Sequence, residues 1–171
     1  CGDISCEIKD IIYDSRKAAP DTVFVCMKGS RIDPHSFIPE VYEKGCRAFV
    51  ISESSLVPEE LKESNAAFVL CRDTRRALSL MSQVFFDHPA ERLRLIGLTG
   101  TKGKTTTAYM IKSILEHAGH RTGIIGTVGC GIGEETFPTA NTTPESYELQ
   151  RFLSMMVEAS CSHAVMECSS Q

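Results

Sequence analysis

"LRLIGLTGTKGKTTTAYMIKSILEHAG", residues 93–119, decides how the rest of the chain is read. Its first seven residues form a short apolar run of strand length, and residues 100–104 form a glycine-bearing turn. From Thr105 the apolar residues Ala108, Ile111, Leu115 and Ala118 recur at helical spacing until Gly119 stops them. Strand, glycine loop, Lys-Thr, helix aims backbone N–H groups and the positive end of a helix dipole at one spot, where an anion can sit. The common phosphate-loop pattern G-x-x-x-x-G-K-[ST] is not met, because Leu98 stands five residues before Gly103. The context still carries phosphate chemistry. Gly100 and Gly103 let the backbone approach phosphate oxygens with no Cβ in the way. Lys104 would reach terminal phosphates as a point charge, and Thr105 would offer its hydroxyl to Mg²⁺. Lys102 beside them reads more simply as a solvated charge.

Working outward, the downstream sequence continues the same α/β alternation. "TGIIGTV" (122–128) is a strand, "GCGIGEETFPTANTT" (129–143) a long polar loop, and Pro144 opens a helix with Leu149, Phe152, Leu153, Met156 and Val157 on one face. "HAVMECSS" (163–170) is a last strand, and its Glu167 sits where a strand-end carboxylate beside a phosphate loop can help hold Mg²⁺. "GCGIG" (129–133) resembles the start of a dinucleotide fingerprint, but it opens no helix and reads as loop flexibility. Upstream, "TVFVCM" (22–27), "RAFVIS" (47–52) and "AAFVLC" (66–71) are strands, with a short helix in "SFIPEVYEKG" stopped by Gly45. Asp73 or Thr74 caps a helix whose Ala77, Leu80, Met81 and Val84 share a face, ended by His88-Pro89. The charged "AERLR" (90–94) marks a boundary near residue 91. The expected architecture is therefore α/β: a small N-terminal α/β domain, 1–90, then the first part of a P-loop mononucleotide-binding parallel-sheet domain, 91–171. With three strands and two helices after the boundary, the second sheet is short for its class, and a fragment continuing past Gln171 is expected. A first residue of Cys rather than Met points the same way.

Composition excludes several other classes. The 171 residues are 42% hydrophobic, ample for a packed core, and carry a net charge of -4 with no basic run, which argues against tracking a nucleic-acid backbone. Eight cysteines include no C-x-x-C pair, and Cys26 and Cys71 lie in apolar runs, so reduced thiols in a reducing compartment are expected. Five histidines form neither H-E-x-x-H nor a Cys/His ligand set, so zinc is not expected. The longest apolar run, 66–71, is far too short to span a bilayer, and no basic-then-apolar leader is present. The reading is of a soluble, cytoplasmic protein with neither membrane nor nucleic acid as partner.

"TGTKGKTT" (99–106) resembles the ATP loop of the Mur ligases of bacterial cell-wall synthesis, T-G-T-x-G-K-[ST]-T, which lacks the distant first glycine. Folylpolyglutamate synthases share that loop, so alone it marks a superfamily of ATP-dependent amide-bond ligases. "YDSR" (13–16) with "DTVFVCMKG" (21–29), "IIGTVG" (124–129) leading to "NTTPES" (141–146), and "MECSSQ" (166–171) are similar to the branch that adds a diamino acid to UDP-MurNAc-L-Ala-D-Glu. Two positions depart from the family pattern: Gln171 stands where E-x-S-S-H has His, and Lys102 replaces the common Asn.

The resemblance implies that Gly100, Thr101, Lys102, Gly103, Lys104, Thr105 and Thr106 line the phosphates of ATP, and that Thr105 and Glu167 bind Mg²⁺. It implies a UDP-binding N-terminal domain in which Tyr13, Ser15, Ser30, Arg31 and Ile32 contact the uridine nucleotide, while Asn141, Thr142, Thr143 and Ser169 contact the muramyl-peptide part. For 141–143 helix capping before Pro144 is the structural alternative, and both roles can coexist. The implied reaction phosphorylates the D-glutamate carboxylate with ATP, after which meso-diaminopimelate or L-lysine attacks the acyl phosphate. Positioning and charge neutralisation carry such chemistry, with Lys104 the catalytic residue and no general base identifiable. In the family, diamino-acid selection and a carbamylated lysine lie past the equivalent of Gln171. The chain alone is therefore expected not to complete ligation, and self-association through an exposed apolar edge is expected. Two alternatives stand beside this reading: another superfamily ligase of the folylpolyglutamate or cyanophycin synthetase type, and a P-loop kinase or nucleotide-binding module without ligase chemistry. The "YDSR…MKG" domain, suited to a UDP-sugar acceptor, speaks against the first, and the N-terminal α/β domain preceding the loop speaks against a small kinase.

Overall fold

The computed structural model describes residues 7–29 and 32–169. The chain divides into two compact units between Leu80 and Met81.

In the first unit, β1 (Asp10–Ile12), β2 (Thr22–Val25), β3 (Ala48–Ile51) and β4 (Ala67–Leu70) form one parallel sheet in the order β1-β2-β3-β4. The three predicted strands are β2, β3 and β4; β1 was not expected, because three residues are too few to show a period. Helix α1 (Ile38–Glu43) joins β2 to β3, and the short α2 (Glu59–Lys62) joins β3 to β4. Alternate residues point to one face, where Ile12, Phe24, Cys26, Phe49 and Ile51 pack with Ile38 and Val41 of α1. The register sets Phe24 beside Phe49 and Phe49 beside Phe68, and their rings meet edge-on at 6.5 Å and stacked at 5.1 Å between centroids. Ile11, Val23, Val25 and Val50, on the other face, are buried as well. That is the two-sided burial expected of a parallel sheet. Asp73 caps α3 (Thr74–Phe85), its Oδ1 accepting from the N–H of Arg76 at 2.9 Å.

The second unit holds β5 (Arg94–Leu98), α4 (Lys104–His117), β6 (Thr122–Gly126), β7 (Gly129–Ile132), β8 (Glu135–Phe137), α5 (Ser146–Glu158) and β9 (His163–Glu167). Strand order is β5-β9-β6-β7-β8, with β5, β9 and β6 parallel and the β7–β8 hairpin antiparallel. Ala108 of α4, with Ile111 and Leu115, packs on Ile124 and Val165 from one side. Phe152, Leu153 and Met156 of α5 pack with Ile125, Cys130, Ile132 and Ala164 from the other. Adjacent residues of β6 and β9 thus serve opposite layers, the geometry of a sheet between two helices.

Two expectations change here. Residues 129–137, read as polar loop, form the hairpin that extends the sheet to five strands; its buried alternation, Cys130 then Ile132, is only two residues deep and hides among glycines and charges. Pro144 does not open α5, which starts at Ser146 after an N-cap at Glu145.

The six cysteines among the described residues are free thiols, and burial pushes Cys26 and Cys130 up to about 12, far from the reactive range. Among the described residues no helix is long and apolar enough to cross a membrane.

Candidate functional site

The ends of β5, β9 and β6 converge at one edge of the second sheet, where parallel α/β sheets carry their ligands. Gly103 caps α4 with φ 80°, and no atom lies within 4 Å of where a Cβ would stand. Backbone conformation rather than crowding therefore calls for glycine. The first intrahelical bond runs from the N–H of Thr107 to the carbonyl of Gly103 at 2.9 Å. The N–H groups of 104–106 precede it and face out of the helix end, where its dipole is positive. Lys104 folds back across the turn, its Nζ donating to the Gly100 carbonyl at 2.8 Å. Thr101, Lys102 and Thr106 are exposed around it.

Register brings in the carboxylate. Glu167 pairs with Leu98, and the N–H of Cys168 donates to the Leu98 carbonyl at 2.7 Å. Thr105 and Glu167, 62 residues apart, thereby meet: the threonine hydroxyl donates to Oε2 at 2.9 Å. Glu167 is only 2% exposed, and a carboxylate taken out of water must be hydrogen-bonded. The remaining bonds come from Thr127, whose N–H donates to Oε1 at 3.1 Å and whose hydroxyl donates to Oε2 at 3.4 Å. Gly126 makes room, because a Cβ there would collide with the Glu167 side chain. Sequence reading passed over both residues; "IIGTVG" was the signal, but nothing in it tells that Thr127 faces a residue 40 positions away.

The loop after β8 closes on the same edge. Thr142 Oγ1 lies 3.3 Å from Thr127 Oγ1. Thr143 donates its hydroxyl to the Glu167 carbonyl at 3.0 Å and accepts the Ser169 N–H at 2.8 Å, with Ser169 Oγ at 3.1 Å. The single proton of Thr143 is thus committed, and the Ser169 hydroxyl is the donor between those two. The capping alternative for 141–143 fails: the N-cap is Glu145, and no side chain caps α5. Asn141 is exposed beside this cluster.

In the first unit, Tyr13 and Ser15 line an open cleft of about 600 Å³ together with Asp14, Arg16, Phe24, Pro34, Phe37 and Glu40. Asp14 accepts from Arg16 through both oxygens, at 2.9 and 2.6 Å, and the Arg16 hydrogen bond holds its carboxyl down at about 2. Ile32 is 61% exposed and does not line this cleft. Ser30 and Arg31, the other two expected contacts, lie outside the described residues.

Two family models match the chain: the "Mur ligase family, catalytic domain" over residues 7–86 and the "Mur ligase middle domain" over residues 98–171. The chain belongs to the Mur ligase family. Among Mur ligases it is 43% identical over 169 residues to the UDP-N-acetylmuramoyl-L-alanyl-D-glutamate--2,6-diaminopimelate ligase of Clostridium perfringens, covering 99% of this chain and 34% of that protein. The ligase of the same name from Bacillus licheniformis is 42% identical over 164 residues, covering 96% and 32%. The chain spans about a third of the length of these relatives. A solved structure bearing the same ligase name superposes with a TM-score of 0.75 at 24% identity, covering 95% of this chain and 32% of that one, a likeness of fold. MurF of Acinetobacter baumannii superposes with a TM-score of 0.61 at 28% identity, covering 95% and 31%. MurF of Thermotoga maritima, solved in complex with ADP, reaches 0.59 at 19% identity, covering 99% and 34%.

Proposed function

We propose that the chain is the acceptor-binding domain, 1–90, and the first part of the ATP-binding domain, 91–171, of a cytoplasmic ligase of peptidoglycan precursor synthesis. That ligase joins 2,6-diaminopimelate to UDP-MurNAc-L-Ala-D-Glu at the expense of ATP. The names of the relatives support the substrates. The observation that carries the reading is the meeting of Thr105, at the mouth of a phosphate-type loop, with the buried carboxylate of Glu167.

In this reading the N–H groups of 104–106 and the ammonium of Lys104 cradle the terminal phosphates of ATP, Lys104 exchanging the Gly100 carbonyl for a phosphate oxygen. Gly100, Thr101, Lys102 and Gly103 complete the loop. Thr105 and Glu167 suit Mg²⁺, since both offer hard oxygen donors; among the described residues no cluster of three or more His, Cys, Asp or Glu competes for a metal. Bound there, the ion would supply charge neutralisation on the phosphates. The D-glutamate carboxylate takes the γ-phosphoryl group, releasing ADP, and the diaminopimelate amine then displaces phosphate to leave the amide. Asn141, Thr142, Thr143 and Ser169 orient the muramyl-peptide arm, and Tyr13 and Ser15 hold the uridine nucleotide in their cleft. Calorimetric titration tests this: the chain binds UDP-MurNAc-L-Ala-D-Glu, and ATP·Mg²⁺ separately. Heat with ATP·Mg²⁺ but none with the UDP-peptide would move the assignment to another amide ligase of the superfamily.

A further inference from the structure

His35 is 2% exposed and takes no part in the chemistry described above, yet its ring is bonded at both nitrogens. It sits in the 3₁₀ turn Pro34–Phe37, which follows Asp33. Pro34 and Phe37, on either side of it, form one wall of the 600 Å³ cleft. The backbone N–H of Ser52, one residue past the end of β3, donates to Nε2 at 3.2 Å. A main-chain N–H can only donate, so Nε2 is the bare nitrogen and the proton is on Nδ1. That proton goes to Asp33 Oδ1 at 2.6 Å, the same oxygen that accepts the His35 N–H at 3.0 Å and so caps the turn. Asp33 in turn faces Lys28 at 3.8 Å, and Lys28 reaches Glu53 at 3.3 Å.

One neutral tautomer of one imidazole therefore ties three things together: the cap of the turn, the wall of the cleft, and the C-terminal end of a central parallel strand. Hydrophobic packing alone would hold Pro34 and Phe37 against the sheet, but it does not set their height along β3. A hydrogen bond to one particular backbone N–H does, because it is directional. If the ring is lost, the Ser52 N–H, in a half-buried residue, also loses this acceptor.

We infer that His35 is a positioning residue for the nucleotide cleft of the N-terminal unit, fixing the Pro34–Phe37 wall through the Ser52 N–H; this rests on the acceptor reading of that cleft. The two bonds make separable predictions. Glutamine places its amide oxygen near where Nε2 stands and can accept from Ser52; asparagine places its amide nitrogen near Nδ1 and can only replace the bond to Asp33.

The test is calorimetric titration of uridine diphosphate into the 171-residue chain and its His35→Ala, His35→Gln and His35→Asn variants, each checked for folding by circular dichroism. His35→Ala should bind about tenfold more weakly, as expected if the competent wall is populated about a tenth of the time. His35→Gln should recover most of that loss and His35→Asn little of it. ATP·Mg²⁺ affinity, read at the other unit, should stay level in all three. Hydrogen exchange on the free chain gives a second readout: the Ser52 amide should exchange faster in the alanine and asparagine variants and stay protected with glutamine. Equal uridine diphosphate affinity in folded wild type and alanine variant would overturn the positioning role. Absence of binding by the wild type would instead overturn the acceptor reading, while hydrogen exchange would still decide whether His35 holds the wall.

Discussion

At Glu167 two successive residues, Gly126 and Thr127, accommodate one buried carboxylate. Gly126 supplies space and Thr127 two donors, so removing either is felt at the carboxylate. Gly126→Ala should destabilise the chain by about 1–3 kcal/mol, the usual cost of overpacking, read as a lowered urea midpoint. Thr127→Val keeps the shape and the N–H but loses the hydroxyl, worth about 1 kcal/mol, and should weaken ATP·Mg²⁺ binding about fivefold in calorimetry while Thr127→Ser does not. Lys104→Ala should weaken that binding at least about tenfold, since Lys104 is the lysine whose ammonium folds back across the turn. A further residue sets a pH response. Burial first, then His120 with ring centroids 4.7 Å away, lowers the affinity of His163 for protons below the ordinary 6.5. Below 6.5 the unfolded chain binds a proton that the folded chain resists, so stability should fall as pH drops through that value toward the lower folded one. Thermal unfolding between pH 7 and 5 should show the decline, and His163→Gln should flatten it.

At the scale of elements, the legibility of each piece followed the apolar run it sits in. The helix starting at Lys104 and the strands β2, β3, β4, β5, β6 and β9 could be read because each lies in a largely apolar run or a repeating period. β1 and β8, of three residues, and β7, of four residues among glycines, could not; they exist because a neighbouring strand offers its edge, a tertiary cause with no local mark. α5 illustrates the energetic side. Met156 is fully buried and lies over Gly123, where a Cβ would overlap its side chain, so helix and sheet approach closely. Met156→Ala should cost about 2–5 kcal/mol through the cavity it leaves, read as a lower urea midpoint.

For the whole molecule, the outer strand β5 leaves one side unpaired among the described residues, with Leu95 49% exposed beside an apolar cavity of about 140 Å³ lined by Leu149, Leu153 and Met166. Unpaired edges next to apolar surface invite pairing with a second copy. Light scattering should show concentration-dependent association that Leu95→Lys reduces; a monomer at all concentrations would count against it. The chain spans about a third of its relatives, and mixed with ATP, UDP-MurNAc-L-Ala-D-Glu and diaminopimelate it should yield no tripeptide product by chromatography.

The sequence by itself determined the phosphate-type loop, its flanking strand and helix, and the residues whose chemistry could serve it, because those depend on near neighbours: a glycine at a left-handed turn, a lysine and threonine at a helix start, an apolar period. Thr105 and Glu167 were expected together from a strand-end position and a family resemblance; the contacts themselves, and their partners, were decided by the tertiary structure. The pairing of β9 with β5 sets Glu167 against Thr105, the hairpin brings Thr142 to Thr127, and Ser52 reaches across to His35. Such contacts depend on strand order and register, which are settled by packing whole layers together and leave no trace in the spacing of residues along the chain.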